Sequence, residues 1–363
     1  MTTLTPDLIL DEPQVAGPLA VFPVLGVPST LAFRSFAQAV GLGAFVKEHD
    51  EGAQVRELVF GNPTDQPVLL LEGEEVLGAQ QNRTFDVSIL APAGGHLRVP
   101  VSCMEQGRWD GARAAEHFAP APQTADPAMR RAKRLRTNAV GRADQGEVWN
   151  GVVARMAAHS VDSESGAMHD VYEGRRQDLA VLAGAVFPVP DQIGAVATVA
   201  GRPVALDVVT CAGVFADLFP RLAQGYALEA IDKRSVAVDR DRVERLVRAA
   251  TAAPRARAQA PGIGEAFAIS TAVVTVAESS TTASSSSSPP SLARRRREVA
   301  SRSLGAAGHG RERQPDRTTP WAGVRSAPAR PGRLDDGHAT ATTGAPLASV
   351  GLAGADLMIT LGS

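Results

Sequence analysis

Polar and apolar positions alternate with period two over Thr84–Leu90, with Phe85, Val87 and Ile89 on one side and Thr84, Asp86 and Ser88 on the other. The same alternation returns over His96–Val101, with Leu97, Val99 and Val101 on the apolar side. A period of two predicts strands with one apolar face. Pro92-Ala93-Gly94-Gly95 joins them as a hairpin loop, in an antiparallel sheet covered on one side. Upstream, Leu19–Leu25, Ala44–Lys47 and Gln54–Phe60 read as further strands and Phe33–Val40 as a short helix. Gly61-Asn62-Pro63 is a loop signal, because Gly permits positive φ and Pro cannot donate to a ladder.

Downstream the period changes. Ala119–Pro127 is Pro-rich and reads as a linker. Ala128–Arg136 reads as a basic helix, Gln145–His159 as a helix with Trp149, Val152, Val153 and Met156 on one face, and Val171–Ala185 as a third. A hairpin of Gly194–Val199 and Val204–Val209 follows, turning at Ala200-Gly201-Arg202-Pro203, then helices over Val214–Leu228 and Asp241–Ala253. Without a βαβ rhythm, a GxGxxG or a GxxxxGK[ST], nothing supports a doubly wound or P-loop fold. The fold class is α+β. Residues 13–118 are the β-rich region, 119–127 the linker, 128–275 the helical region with its hairpin (one structural unit with 13–118), and 276–363 a tail.

Composition narrows this picture. A hydrophobic content of 44% supports a core, and an aromatic content of 4% makes that core one of Val, Leu and Ala. The formal charge of −2 gives no reason to expect a nucleic-acid or membrane-surface partner. Cys103 and Cys211 are too few for a disulfide framework or a zinc cluster. The start of the chain lacks a signal-peptide pattern and no apolar run is long enough to span a membrane, so the expected location is cytoplasmic.

Residues 276–363 lack Phe, Tyr and Lys and carry the runs Ser284–Ser288 and Arg294–Arg297. One reading is a disordered tail that buries too little apolar area to offset its ordering entropy. The other is a frameshift near 275–278. With G-ending codons, reading one nucleotide earlier turns Ser279–Ser286 into Val-Val-Asp-Asp-Gly-Val-Val-Val, a hairpin with an Asp-Gly turn.

The candidate chemistry lies in residues 68–109, where polar clusters interrupt the strands. Glu72, Glu74 and Glu75 are acid/base candidates, since neighbouring carboxylates push one pKa upward or hold a cation; an ordinary polar hairpin turn is the competing and plainer reading. Gln80, Gln81, Asn82 and Arg83 offer donors and acceptors for a phosphate, ribose or carboxylate, with Arg83 as the bidentate group, or else a structural network. Glu105 completes an acid/base set with Glu74 and Glu75, and Trp109 offers a stacking face or fills a core. Cys103 reads as a small buried residue at a strand end. Arg130, Arg131, Lys133, Arg134 and Arg136 read as a solvated helical face, with contact to phosphate or nucleic acid as the lesser alternative. His117, His159 and His169 lack metal-ligand spacing, so no metal is assigned, and no cofactor is specified.

The run LLLEGEEVLGAQQNRTFDVSILAPAGGHLRVPVSCMEQGRW, together with Asp191–Ala230, resembles the ARG and rhodanese-phosphatase-superfamily associated protein domain family, over about residues 13–275. That family is named for its association with ADP-ribosylglycohydrolases, so the resemblance implies a role near ADP-ribose or NAD metabolism and supplies no reaction. Two departures stand out: the Ser/Arg-rich tail replaces a terminal Val-His-Leu-type strand, and a second acidic residue usual near Cys211 is missing. The leading expectation is a domain that binds or processes an ADP-ribose-like or NAD-derived small molecule. Glu74, Glu75 and Glu105 would be its acid/base groups and Gln81, Asn82, Arg83 and Trp109 its ligand contacts. The alternative is a non-enzymatic scaffold or partner protein whose polar block is a structural network.

Overall fold

The hairpin of Gln192–Val199 and Arg202–Val209 is buried on both faces, which explains its almost unbroken apolar character. Ala195, Ala197 and Val199 join Phe215, Leu218 and Leu222 of the helix Ala212–Ala230. Val196, Leu206 and Val208 join Val243, Leu246 and Val247 of the helix Arg240–Ala252. The expected turn is present, with Ala200 and Gly201 at φ 48° and 75°. A computed structural model describes residues 2–5, 8–27, 31–137, 141–253, 255–258, 261–270, 275–280 and 358–362.

Around this hairpin runs a ten-stranded sheet. Leu19–Gly26, Leu8–Leu10 and Thr2–Thr5 extend it on one side, with Gln14–Ala16 also paired to Leu19–Gly26. Met358–Gly362, Thr275–Ser280, Glu265–Ser270 and Arg255–Ala258 extend it on the other. A six-stranded sheet runs in the order Ala119–Thr124, Glu74–Leu77, Arg83–Phe85, Gly95–Cys103, Glu57–Asn62, Phe45–Lys47. A three-stranded sheet contains Ile89–Ala91, Val68–Leu70 and Arg34–Ser35. The two smaller sheets share a core in which Phe36 meets Phe60 and Phe85 edge-on, at 6.1 and 5.7 Å between ring centroids. With its helices, the architecture is α+β. All described residues fall in one compact unit.

Several expectations change. Thr84–Leu90 is two strands in two sheets: Arg83–Phe85 pairs with Gly95–Cys103, and Ile89–Ala91 leaves to pair with Val68–Leu70. Its polar side is no solvent face either, since Thr84, Asp86 and Ser88 are all buried. The helix Pro127–Leu135 covers them, with Lys133 Nζ donating to Phe85 O at 2.7 Å and lying 3.5 Å from Asp86. The expected linker is mostly the strand Ala119–Thr124, paired with Glu74–Leu77, and Asp126 caps the next helix by accepting from Met129 N at 3.0 Å. Pairing with Glu74–Leu77 overrides the Pro-rich composition. Val171–Ala185 divides into Met168–Gly174 and Arg176–Ala183. The helix Gln145–His159 buries Gln145, Val148 and Val152 and leaves Val153 exposed. Within 276–363, strands occupy Thr275–Ser280 and Met358–Gly362; the frameshift and tail readings otherwise lie outside the described residues.

Candidate functional site

Glu72, Glu74 and Glu75 do not share a face. Gly73 turns the chain at φ +88°, and a Cβ there would lie 2.8 Å from the Arg130 side chain, so only glycine leaves room. Glu72 turns into a buried ionic network. Arg130 bonds Asp207 through both terminal nitrogens, at 3.1 and 2.7 Å, and lies 3.3 Å from Glu72; Arg134 reaches Glu72 at 2.9 Å. Tyr226 donates to Asp207 at 2.6 Å, and Ser102 and Ala143 N donate to Asp86. Glu72, Asp86 and Asp207 thus offset Arg130, Lys133 and Arg134. The basic stretch expected to face solvent supplies the buried cations of this network, with Arg130 and Lys133 each 1% exposed.

Glu74 goes elsewhere. One oxygen accepts from Leu71 N at 2.8 Å and the other lies 3.7 Å from Arg221, which also bonds Asp217 at 2.8 Å. Burial raises the Glu74 carboxyl to about 7 against the opposing pull of Arg221.

Gln81, Asn82, Arg83, Glu105 and Trp109 do converge. Gln81 donates to the Glu105 carbonyl, and Asn82 N donates to Glu105 Oε2 at 3.1 Å. Arg83 is 0% exposed, donates to Gln81 Oε1 at 2.7 Å and lies under the Trp109 ring, 5.4 Å from its centroid. Arg83 is therefore covered by Trp109, while the guanidinium that reaches open space is Arg108. Arg108 bonds Glu105 at 2.8 and 2.6 Å, Asn82 Oδ1 at 3.0 Å and Ala79 O at 2.6 Å. Cys103 is buried at the strand end, where burial raises its thiol pKa.

An open cleft of about 640 Å³ lies beside this network, lined by Glu105, Arg108, Trp109, Asp110, Glu164 and Asp170 together with Gly107 and Ser165. Gly107 N donates to Ser165 O at 2.6 Å, and Glu105 bridges Ala167, which fastens the two walls. Half the Trp109 surface is exposed. Burial works to raise Glu105, but hydrogen bonds from Arg108, Ser165 and Asn82 N outweigh it and hold this carboxylate below its usual range.

Gln123 Nε2 lies 2.7 Å from Glu75 Oε2 and 3.0 Å from His169 Nδ1. Burial pushes Glu75 up to about 8, opposed by the Gln123 hydrogen bond and reinforced by Glu105 and Asp170. Burial lowers His169. Arg108 lies within the polar block without being singled out, whereas Gln123 and His169 carry no local sequence signature, since they reach Glu75 only through strand pairing and helix packing. Among the described residues no group of three or more His, Cys, Asp or Glu is placed to hold a metal ion, and no helix is long and apolar enough to cross a membrane.

Fold and site together define an α+β domain with a predominantly acidic cleft at the end of an antiparallel strand. Over residues 7–287 the chain matches the ARG and Rhodanese-Phosphatase-superfamily-associated Protein domain, and it belongs to that family. No curated protein and no solved structure matches it.

Proposed function

We propose that the cleft beside Glu105 binds a ribosyl-bearing small molecule of the ADP-ribose or NAD-derived class, seating its ribose and ring. The carrying observation is the half-exposed Trp109 ring set next to a carboxylate held ionised. A flat aromatic face stacks a base or sugar ring, and carboxylates accept hydrogen bonds from vicinal hydroxyls. Four carboxylates, Glu105, Asp110, Glu164 and Asp170, line the cleft against one guanidinium, Arg108, itself bonded to Glu105. This sign of charge disfavours a pyrophosphate on the cleft floor, so the phosphates of a larger ligand point to solvent. The family's association with ARG proteins agrees with this class of ligand. In this reading Glu105 orients hydroxyls, Trp109 stacks, and Gln81, Asn82 and Arg83 support them from behind.

Thermal shift with adenosine, nicotinamide riboside, ADP-ribose, NAD and inorganic pyrophosphate tests the proposal. The ribosyl compounds raise the melting temperature and pyrophosphate does not. Trp109→Ala removes the shift while the free protein stays folded. No stabilisation by any ribosyl compound, or the same stabilisation in Trp109→Ala, overturns it. The scaffold alternative is favoured for one part of the block only, the fully buried Glu72–Arg130–Asp207 network, which has no access to a ligand.

A further inference from the structure

The Gln123 carboxamide touches a buried carboxyl and a half-buried imidazole at once. It offers two hydrogens from its nitrogen face or one shared oxygen from the other, and a 180° turn exchanges them. We propose that Glu75, through the Gln123 amide, sets which ring nitrogen of His169 carries the proton.

When Glu75 is ionised, the Gln123 nitrogen donates one hydrogen to Glu75 Oε2 and the other to His169 Nδ1. The imidazole then carries its proton on Nε2 and presents a donor. When Glu75 is protonated, its O–H needs an acceptor, and its Oε1 has no hydrogen-bond partner. Turning the amide supplies one: Gln123 Oε1 accepts from the Glu75 hydroxyl and from His169 Nδ1–H. Nε2 then holds a lone pair and presents a base.

His169 and Asp170 are neighbours on the helix Met168–Gly174, and His169 Nδ1 faces Gln123. The charged groups around the imidazole are Asp170, Arg176 and Glu105; those around Glu75 are Glu105, Asp170 and Lys133. Burial and Arg176 disfavour an imidazolium and outweigh the two carboxylates, which keeps the ring neutral and its two tautomers in play. Glu75 is a positioning residue, because it is buried and acts only through Gln123. Its raised pKa puts the exchange near neutral pH.

Nitrogen NMR of the full chain labelled at its seven histidines reads the tautomer directly, with His169 assigned by its loss in His169→Gln. In ligand-free protein, His169 passes from the Nδ1–H to the Nε2–H form between about pH 6.5 and about pH 9.5. Glu75→Gln removes that transition, and Gln123→Met leaves a tautomer ratio that does not move with pH. One unchanging tautomer in the wild type across this range overturns the inference, as does an unchanged transition in Glu75→Gln. The wild-type series decides even where a variant does not fold. Because no ligand is present, failure here is separate from failure of the thermal-shift test.

Discussion

Within four positions, three glutamates meet three environments: ion-paired Glu72, Glu74 facing Arg221, and Glu75 against a neutral amide. The last two hold protons near neutral pH, with carboxyl pKa raised from 4.5 to about 7 and about 8. A folded chain that binds more protons than the unfolded one loses stability as pH rises. Their contribution is fully present below about pH 4.5 and is lost as pH climbs through 7 and 8. Denaturant midpoints should therefore fall from pH 5 to pH 9, about these values, and Glu75→Gln should flatten the decline. At Asp207 the effect is one of charge left short of partners. Asp207→Ala removes the bidentate partner of the buried Arg130 guanidinium and leaves it Glu72, which Arg134 shares, so urea unfolding should show a loss of about 3–5 kcal/mol. Trp109→Ala removes a ring half in solvent and one cation–π contact, for which a loss of about 1 kcal/mol is expected.

Among the elements, those defined by local chemistry are the ones the sequence displays. The hairpin at Ala200-Gly201, the helix Gln145–His159 and the strand Leu19–Gly26 all follow from period, caps and turn residues. The strand Ala119–Thr124 does not, because its Pro-rich composition imitates a linker and only pairing with Glu74–Leu77 makes it a strand. Likewise the alternation at Thr84–Leu90 locates polar residues without saying that Lys133 and Ser102 will bury and satisfy them. Gly107 is an element-scale device: a Cβ there would lie 2.9 Å from Ser165 O, so Gly107→Ala should push the two cleft walls apart. Ribosyl ligand affinity should fall, at a stability cost of about 1–3 kcal/mol in the same unfolding assay.

Across the whole molecule, Gly73, Arg130 and Asp207 tie the turn of one sheet to a helix and to the central hairpin of another. The polar block of residues 68–109 was legible as special, and Gln81, Asn82, Arg83, Glu105 and Trp109 do form one network. Their division of labour was not legible, since burial of Arg83 and exposure of Arg108 depend on where the Trp109 ring lies. Gln123, and the contact that brings His169 to it, were not legible because their neighbours are distant in sequence. The central claim, a ribosyl site on an acidic cleft, is tested most directly by titration calorimetry of nicotinamide riboside against the wild-type protein and Trp109→Ala. The account predicts saturable one-to-one binding to the wild type and none to the variant. Absence of binding to the wild type, or equal binding to both, contradicts it.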